Sequence, residues 1–215
     1  MRKFDGFIFD IDGTLASTNE LIFSTFRHIT KRYLNSDISD AEIINLFGPT
    51  EDEIIKIFIN DNFEEARKDY YEFYRTNHAE MADVYPGLID VLDLIKEAGI
   101  PLSIYTGKGR KSSIITLTEI GVIDYFDLIM TGDDVAEPKP SRLGIDPFIE
   151  KFNLDRDRVL MIGDSPADII AAREANVKIA SVVWDAYAKD EVLKMNPDYL
   201  FHSVDELYQF IKESI

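Results

Sequence analysis

Residues 4–14 read FDGFIFDIDGT, an apolar run that ends at Phe9 and is followed by Asp10 and Asp12 one residue apart, then a glycine and a hydroxyl. The run has the length and composition of a buried strand. Two carboxylates at such a strand end repel each other and resist leaving water, so the pattern calls for a cation bound there. Four more short apolar segments follow at 101–105, 127–130, 158–162 and 179–183, alternating with helical patterns. That alternation predicts an α/β protein with a doubly wound, Rossmann-like parallel sheet.

The alternation is broken once. From about Ser17 to Met81 the periodicity is helical and no convincing strand is found. Leu21, Ile22, Phe26, Ile29 and Tyr33 form one stripe, Ile43, Ile44 and Phe47 a second, and Ile54, Ile55 and Phe58 a third. Tyr70, Tyr71, Phe73 and Tyr74 belong to a fourth helix, and their helical spacing without regularly interleaved basic residues marks them as interior rather than as a base-stacking platform. The expected organisation is an α/β core from residues 1–15 and 82–215, with an all-helical cap at 16–81 inserted after the first strand. The turn at Val84, Tyr85, Pro86 and Gly87 marks the return to the core.

At 215 residues and 46% apolar composition the chain can bury a substantial interior, as one large domain or a core with a smaller insertion. It has no cysteine, which excludes disulfides, thiolate metal sites and a cysteine nucleophile, and agrees with a cytoplasmic location. No stretch approaches the ~20 apolar residues needed to span a bilayer, so no membrane partner is expected. A formal charge of -17, with the 23 Lys and Arg scattered, argues against nucleic acid. The same field disfavours an approaching anion, so an anionic substrate would need a local cation to reverse the sign inside the site. A monomer is the default expectation, with a dimer as the alternative.

Four polar pieces each follow a predicted strand: Asp10–Thr14, Tyr105–Lys108, Glu137–Pro140 and Gly163–Asp168. In a parallel sheet the carboxyl ends of the strands share one edge, so these pieces can converge. Singly, each has an ordinary explanation. Asp-x-Asp-Gly could open a calcium loop, but that pattern needs Gly at its sixth position and Glu at its twelfth, where this chain has Leu15 and Leu21. Gly107, Lys108 and Gly109 do not complete a P-loop. Ser165 and Pro166 suit the Ncap and N1 positions of a helix, but capping does not account for Asp164 and Asp168 together. Jointly, Asp10, Asp164 and Asp168 supply hard oxygen ligands suited to an octahedral Mg2+ that keeps waters and a phosphate oxygen. Lys139 adds a fixed cation and Thr106 a hydroxyl donor. The amides of 11–14, including Gly13 and Thr14, and of 106–108, including Gly107 and Lys108, can cradle phosphate oxygens.

The pieces DIDGT, YTGK, EPKPS and GDSPAD resemble, in order and spacing, the four motifs of the haloacid dehalogenase-like hydrolases, and the resemblance covers essentially the whole chain. The insertion looks like the helical cap of the subgroup that holds phosphoglycolate phosphatases, pyrophosphatases and beta-phosphoglucomutase. Asn19–Leu21 and Leu46–Thr50 look most like the phosphatase and pyrophosphatase branch. The resemblance implies a phosphatase acting on a small phosphorylated substrate, phosphoglycolate-like, or on pyrophosphate. In it, Asp10 is the nucleophile that becomes an aspartyl-phosphate. Asp12 protonates the leaving oxygen and then activates water, with its backbone carbonyl on the metal. Asp164 is a direct metal ligand, and Asp168 binds the metal directly or through water. Glu20, Gly48 and Thr50 are the expected cap contributions to substrate binding.

Gly107 stands where many relatives carry Asn, and 141–144 departs from the Asp-Pro stretch common among them. Phe23 occupies about the place of the mutase histidine, which turns the reading away from a mutase. Two alternatives stay open: a sugar-phosphate mutase or phosphotransferase of the same fold, and a phospho-acceptor signalling domain. The latter class lacks a counterpart of Asp12 and the inserted cap.

Overall fold

The computed structural model describes residues 2–186 and 188–215. In chain order its elements begin with β1 (Gly6–Phe9) and β2 (Ala16–Ser17). Five helices follow: α1 (Asn19–Leu34), α2 (Asp40–Ile44), α3 (Glu51–Phe58), α4 (Phe63–Thr76) and α5 (His78–Met81). Then come β3 (Asp83–Val84), α6 (Leu88–Glu97), β4 (Leu102–Tyr105), α7 (Arg110–Glu119), β5 (Leu128–Met130) and α8 (Asp146–Phe152). The chain closes with β6 (Val159–Gly163), α9 (Pro166–Glu174), β7 (Lys178–Val182), α10 (Lys189–Lys194), β8 (Tyr199–Phe201) and α11 (Val204–Ser214).

Six strands form one parallel sheet in the order β5-β4-β1-β6-β7-β8. Every residue of β1 is buried because both faces of the sheet are covered, which is why the segment reads as an unbroken apolar run. Phe7 and Phe9 enter one interior with Val91 and Leu92 of α6 and Leu207 and Ile211 of α11. Ile8 points the other way, into an interior with Phe148 of α8 and Ile169 of α9. From β1 the chain winds outward through β4 and β5, then crosses back to β6 and winds the other way. The connections leaving β1 and β6 therefore diverge and open a crevice at the carboxyl ends of these two neighbours, the usual ligand position in such sheets.

The helices between β2 and β3 bury a further interior, which Ile115 of α7 joins from the core. Leu21, Ile22, Phe26 and Ile29 of α1 meet Tyr70, Tyr71 and Tyr74 of α4, with Ile43, Ile54 and Ile55 filling in. The expected stripes overreach at their ends. Here α2 stops at Ile44, so Phe47 lies beyond it at 44% exposure, and Phe58 is 43% exposed. The two chain crossings are tied together by a short antiparallel pairing, Ala16 opposite Val84 and Ser17 opposite Asp83, where sequence periodicity gave no strand. The core also has a strand more than expected, since β8 pairs with β7 along three residues. Among the described residues no helix is long and apolar enough to cross a membrane.

Candidate active site

Asp10 leaves β1 with its amide still bonded to the Ile162 carbonyl, 2.9 Å away, so the strand ladder fixes where its side chain emerges. One carboxylate oxygen accepts the Ile11 amide at 2.7 Å and the other meets Lys139 Nζ at 2.8 Å. Lys139 Nζ also contacts Asp168 Oδ1 at 2.6 Å. The second oxygen of Asp168 is used at home. Ser165 is the N-cap of α9, and Asp168 Oδ2 accepts both its amide, at 2.9 Å, and its hydroxyl, at 2.6 Å, in a capping box that Pro166 opens at the first helical position. The helix start thus aims Asp168 at Lys139. Asp164, at the end of β6, completes the group: Asp10, Asp164 and Asp168 each present an oxygen within 4.8 Å of the others. Gly13 permits this approach. Its φ is +74°, and a Cβ there would collide with the Asp164 carboxylate.

Burial pushes the Asp10 carboxyl up to about 6, with Lys139 opposing the rise and Asp168 and Asp12 adding to it. Asp164 is driven well above the carboxylate range by burial and by the charges of Asp168 and Asp10, and among the described residues it pairs with no cation. Burial works against the charge of Lys139 too, but Asp10 and Asp168 outweigh it and hold the ammonium above its ordinary range. Three crowded oxygen donors, one of them without a cation, suit a hard divalent ion.

Asp12 is kept apart from that group. Its Oδ1 accepts the Thr18 hydroxyl at 2.5 Å, and both its oxygens lie 3.2 Å from Lys108 Nζ. Lys108, 3% exposed in its side chain, also lies 3.6 Å from Glu51 Oε1 and 5.0 Å from the centre of the Tyr74 ring. Burial opposes its charge, and Asp12, Tyr74 and Glu51 more than compensate. Thr106, buried at the end of β4, accepts the Lys108 amide at 3.2 Å, which leaves its hydroxyl hydrogen for a ligand.

A cavity of about 370 Å³ lies between the sheet edge and the helical insertion. Its floor includes Asp10, Asp12, Gly13, Thr106, Gly107, Lys108, Lys139 and Asp164. Gly48 lines it from the insertion side, but Glu20 and Thr50 do not. Glu20 is exposed on α1, and Thr50 is buried as the N-cap of α3, its hydroxyl 3.2 Å from Glu53. Their chain neighbours Asn19 and Glu51 line the cavity instead. Thr14 lies beneath the floor with its hydroxyl 3.4 Å from Asp164. The expected amide cradle is narrower than its sequence range. Among the described residues, Ile11, Gly13, Thr14, Thr106 and Lys108 spend their amides within the chain, leaving those of Asp12 and Gly107.

Glu51 is the principal residue that sequence reasoning missed. It accepts the Gly109 amide at 2.8 Å and the Ser112 hydroxyl at 2.5 Å, so a carboxylate of the insertion is seated on the first turn of α7. In the sequence it is an acid in the first turn of a helix, which the helix dipole alone would explain.

The family model described as "haloacid dehalogenase-like hydrolase" matches residues 7–182. The chain is 29% identical to pyrophosphatase PpaX of Halalkalibacterium halodurans, over 95% of each protein. It is 28% identical to PpaX of Bacillus pumilus, over 95% of this chain and 94% of that one. Among solved structures, a "predicted phosphoglycolate phosphatase" from Haemophilus somnus superposes with a TM-score of 0.83 over 98% of this chain and 99% of the other, at 22% identity, a likeness of fold.

Proposed function

The chain belongs to the haloacid dehalogenase-like hydrolases, and we propose that it is a magnesium-dependent phosphatase of small phosphorylated metabolites that works through an aspartyl-phosphate on Asp10. The observation that carries this is the separation of two carboxylates only two residues apart: Asp10 lies with Asp164, Asp168 and Lys139, whereas Asp12 is held by Thr18 and Lys108. In this reading one aspartate attacks and the other moves protons.

Asp10 and Asp164 would hold the metal directly, with the Asp12 carbonyl, and Asp168 through water, since both its oxygens are already engaged. Bound there, the ion supplies positive charge that offsets repulsion between the Asp10 carboxylate and the phosphoryl oxygens. Lys139 and the Thr106 hydroxyl take further phosphoryl oxygens, with the amides of Asp12 and Gly107. As the Asp10 oxygen bonds to phosphorus, the ester P–O bond breaks and Asp12 gives its proton to the leaving oxygen. Water then attacks phosphorus while Asp12 takes a proton from it, the Asp10–phosphorus bond breaks, and inorganic phosphate leaves. The helices between β2 and β3 act as the cap, residues 16–81, and keep bulk water from the intermediate. We take the enzyme to be a cytoplasmic monomer.

The PpaX relatives bring pyrophosphate as one substrate to test, and the sequence resemblance brings phosphoglycolate as another. Among the described residues no histidine lines the cavity, which gives transfer to a second hydroxyl less support than transfer to water. The test is phosphate release from a panel of phosphomonoesters and pyrophosphate, with magnesium and with EDTA. Magnesium-dependent release of free phosphate is expected. Its absence across the panel, or isomerised sugar phosphate in place of free phosphate, would overturn the assignment.

A further inference from the structure

The floor and the roof of the cavity differ in chemistry. The floor carries the aspartates and both of its cations, Lys108 and Lys139. The roof presents Ile22, Phe26, Ile44, Phe47 and Ile54. Its remaining lining side chains are the Pro49 ring, the Asn19 amide and the Glu51 carboxylate, and among the described residues the roof contributes no lysine, arginine or histidine. The floor cations are committed as well. Lys139 lies between Asp10 and Asp168, and Lys108 between Asp12 and Glu51.

A phosphoryl group bound over Asp10 therefore directs the rest of its molecule into an apolar space in which, among the described residues, the one acidic or basic roof side chain is the acid Glu51. The second phosphoryl of pyrophosphate, or the carboxylate of phosphoglycolate, would be desolvated there with no unpaired cation to meet it, and burying an unpaired charge is costly. An aliphatic or aromatic group would gain from the same walls.

We infer that the preferred substrate is a phosphomonoester of an uncharged, largely apolar alcohol, and that Ile44 and Phe47 are specificity-determining residues. The inference rests on the phosphatase assignment above and differs from the substrate in the relatives' name. The overall step is ester plus water giving alcohol plus inorganic phosphate, with the P–O bond broken and the alcohol oxygen protonated as already described. Phe47, 44% exposed and stacked on Phe23 with ring centres 6.3 Å apart, is the part of the roof that can be changed without opening an interior.

The experiment measures kcat/KM with magnesium for ethyl, butyl and hexyl phosphate, phosphoglycolate and pyrophosphate. The same panel is run on Phe47→Lys and Ile44→Lys. For the wild type, kcat/KM should rise roughly fourfold per methylene along the alkyl series. Butyl phosphate, whose leaving alkoxide is chemically close to that of phosphoglycolate, should exceed it by at least about tenfold. A lysine at 47 or 44 should flatten the series and move the ratio of phosphoglycolate to butyl phosphate up by about tenfold. A flat alkyl series with pyrophosphate or phosphoglycolate preferred would overturn the inference while leaving the phosphatase assignment intact. Ratios unchanged in both lysine variants would also overturn it, by showing that the roof does not meet the substrate. No magnesium-dependent hydrolysis of any compound would instead bring down the assignment on which it rests.

Discussion

Asp10→Asn should make the metal-free protein more stable even as it removes the nucleophile. Burial lifts the Asp10 carboxyl from an ordinary 3.8 to about 6, against the pull of Lys139 and with help from Asp168 and Asp12. The unfolded chain releases this proton near 3.8 and the folded protein near 6. Between those values the folded state holds more protons, and stability falls as pH rises. Above about pH 6 the full penalty stands, at about 3 kcal/mol. Asparagine keeps the volume and removes the charge, and Lys139 retains Asp168 at 2.6 Å. In EDTA at pH 7.5 the variant should therefore gain up to about 3 kcal/mol, or about 6–12 °C in Tm for a chain of this size. The advantage should fall to about half at pH 5. Asp164, raised by burial and by the charges of Asp168 and Asp10, carries the same sign and adds to the slope of the wild type. Excess magnesium should close most of the gap. At a concentration of about 100 Kd the wild type gains about 2.7 kcal/mol by mass action, and the variant, short of one charged ligand, gains less. Thermal melts of both proteins from pH 5 to 8, in EDTA and in magnesium, make the comparison. A variant no more stable than wild type in EDTA across that range would refute the claim that the aspartates are crowded at a cost in the metal-free fold.

Other substitutions separate the roles of the neighbouring groups. Lys139→Ala strips Asp10 and Asp168 of their shared cation and should destabilise the metal-free protein by about 3–5 kcal/mol, measured by urea unfolding, with part of the loss restored by magnesium. Asp12→Asn should lower kcat by ~10²–10⁴-fold on alkyl phosphates, yet still allow a burst of phosphoenzyme from aryl phosphates, whose leaving groups need little protonation. Normal turnover in that variant would contradict its proton-transfer role. Glu51→Ala leaves the Gly109 amide and one side of Lys108 without their acceptor and the Ser112 hydroxyl with the Gly109 carbonyl alone, and should cost about 3 kcal/mol with faster amide exchange at the start of α7.

The strands that hold the site were legible because a sheet covered on both faces makes them short, unbroken apolar runs, as β1 and β6 show. Tyr199–Phe201 escaped notice because three residues carry no periodicity, and their pairing is supplied by β7. Likewise, Ala16–Ser17 and Asp83–Val84 are strands only because each has the other. Asp10, Asp164, Asp168 and Lys139 could be brought together on paper, since all follow strands of one parallel sheet and share its edge. The insertion was harder. Whether Glu20 or Asn19, Thr50 or Glu51, faces the cavity is a difference of one residue, about 100° of helix rotation. That rotation is set by how the insertion seats on α7, information that no window of sequence contains.

The central claim, a phosphoryl group carried on Asp10, is tested most directly by trapping it. Wild type mixed with an excess of a phosphomonoester and magnesium, then quenched in acid within milliseconds, should yield a peptide spanning residues 4–14 that is heavier by one phosphoryl group. The adduct should be labile to hydroxylamine, absent in EDTA and absent from Asp10→Asn. A phosphoryl group found on another residue, or steady phosphate release by Asp10→Asn within tenfold of wild type, would contradict the mechanism.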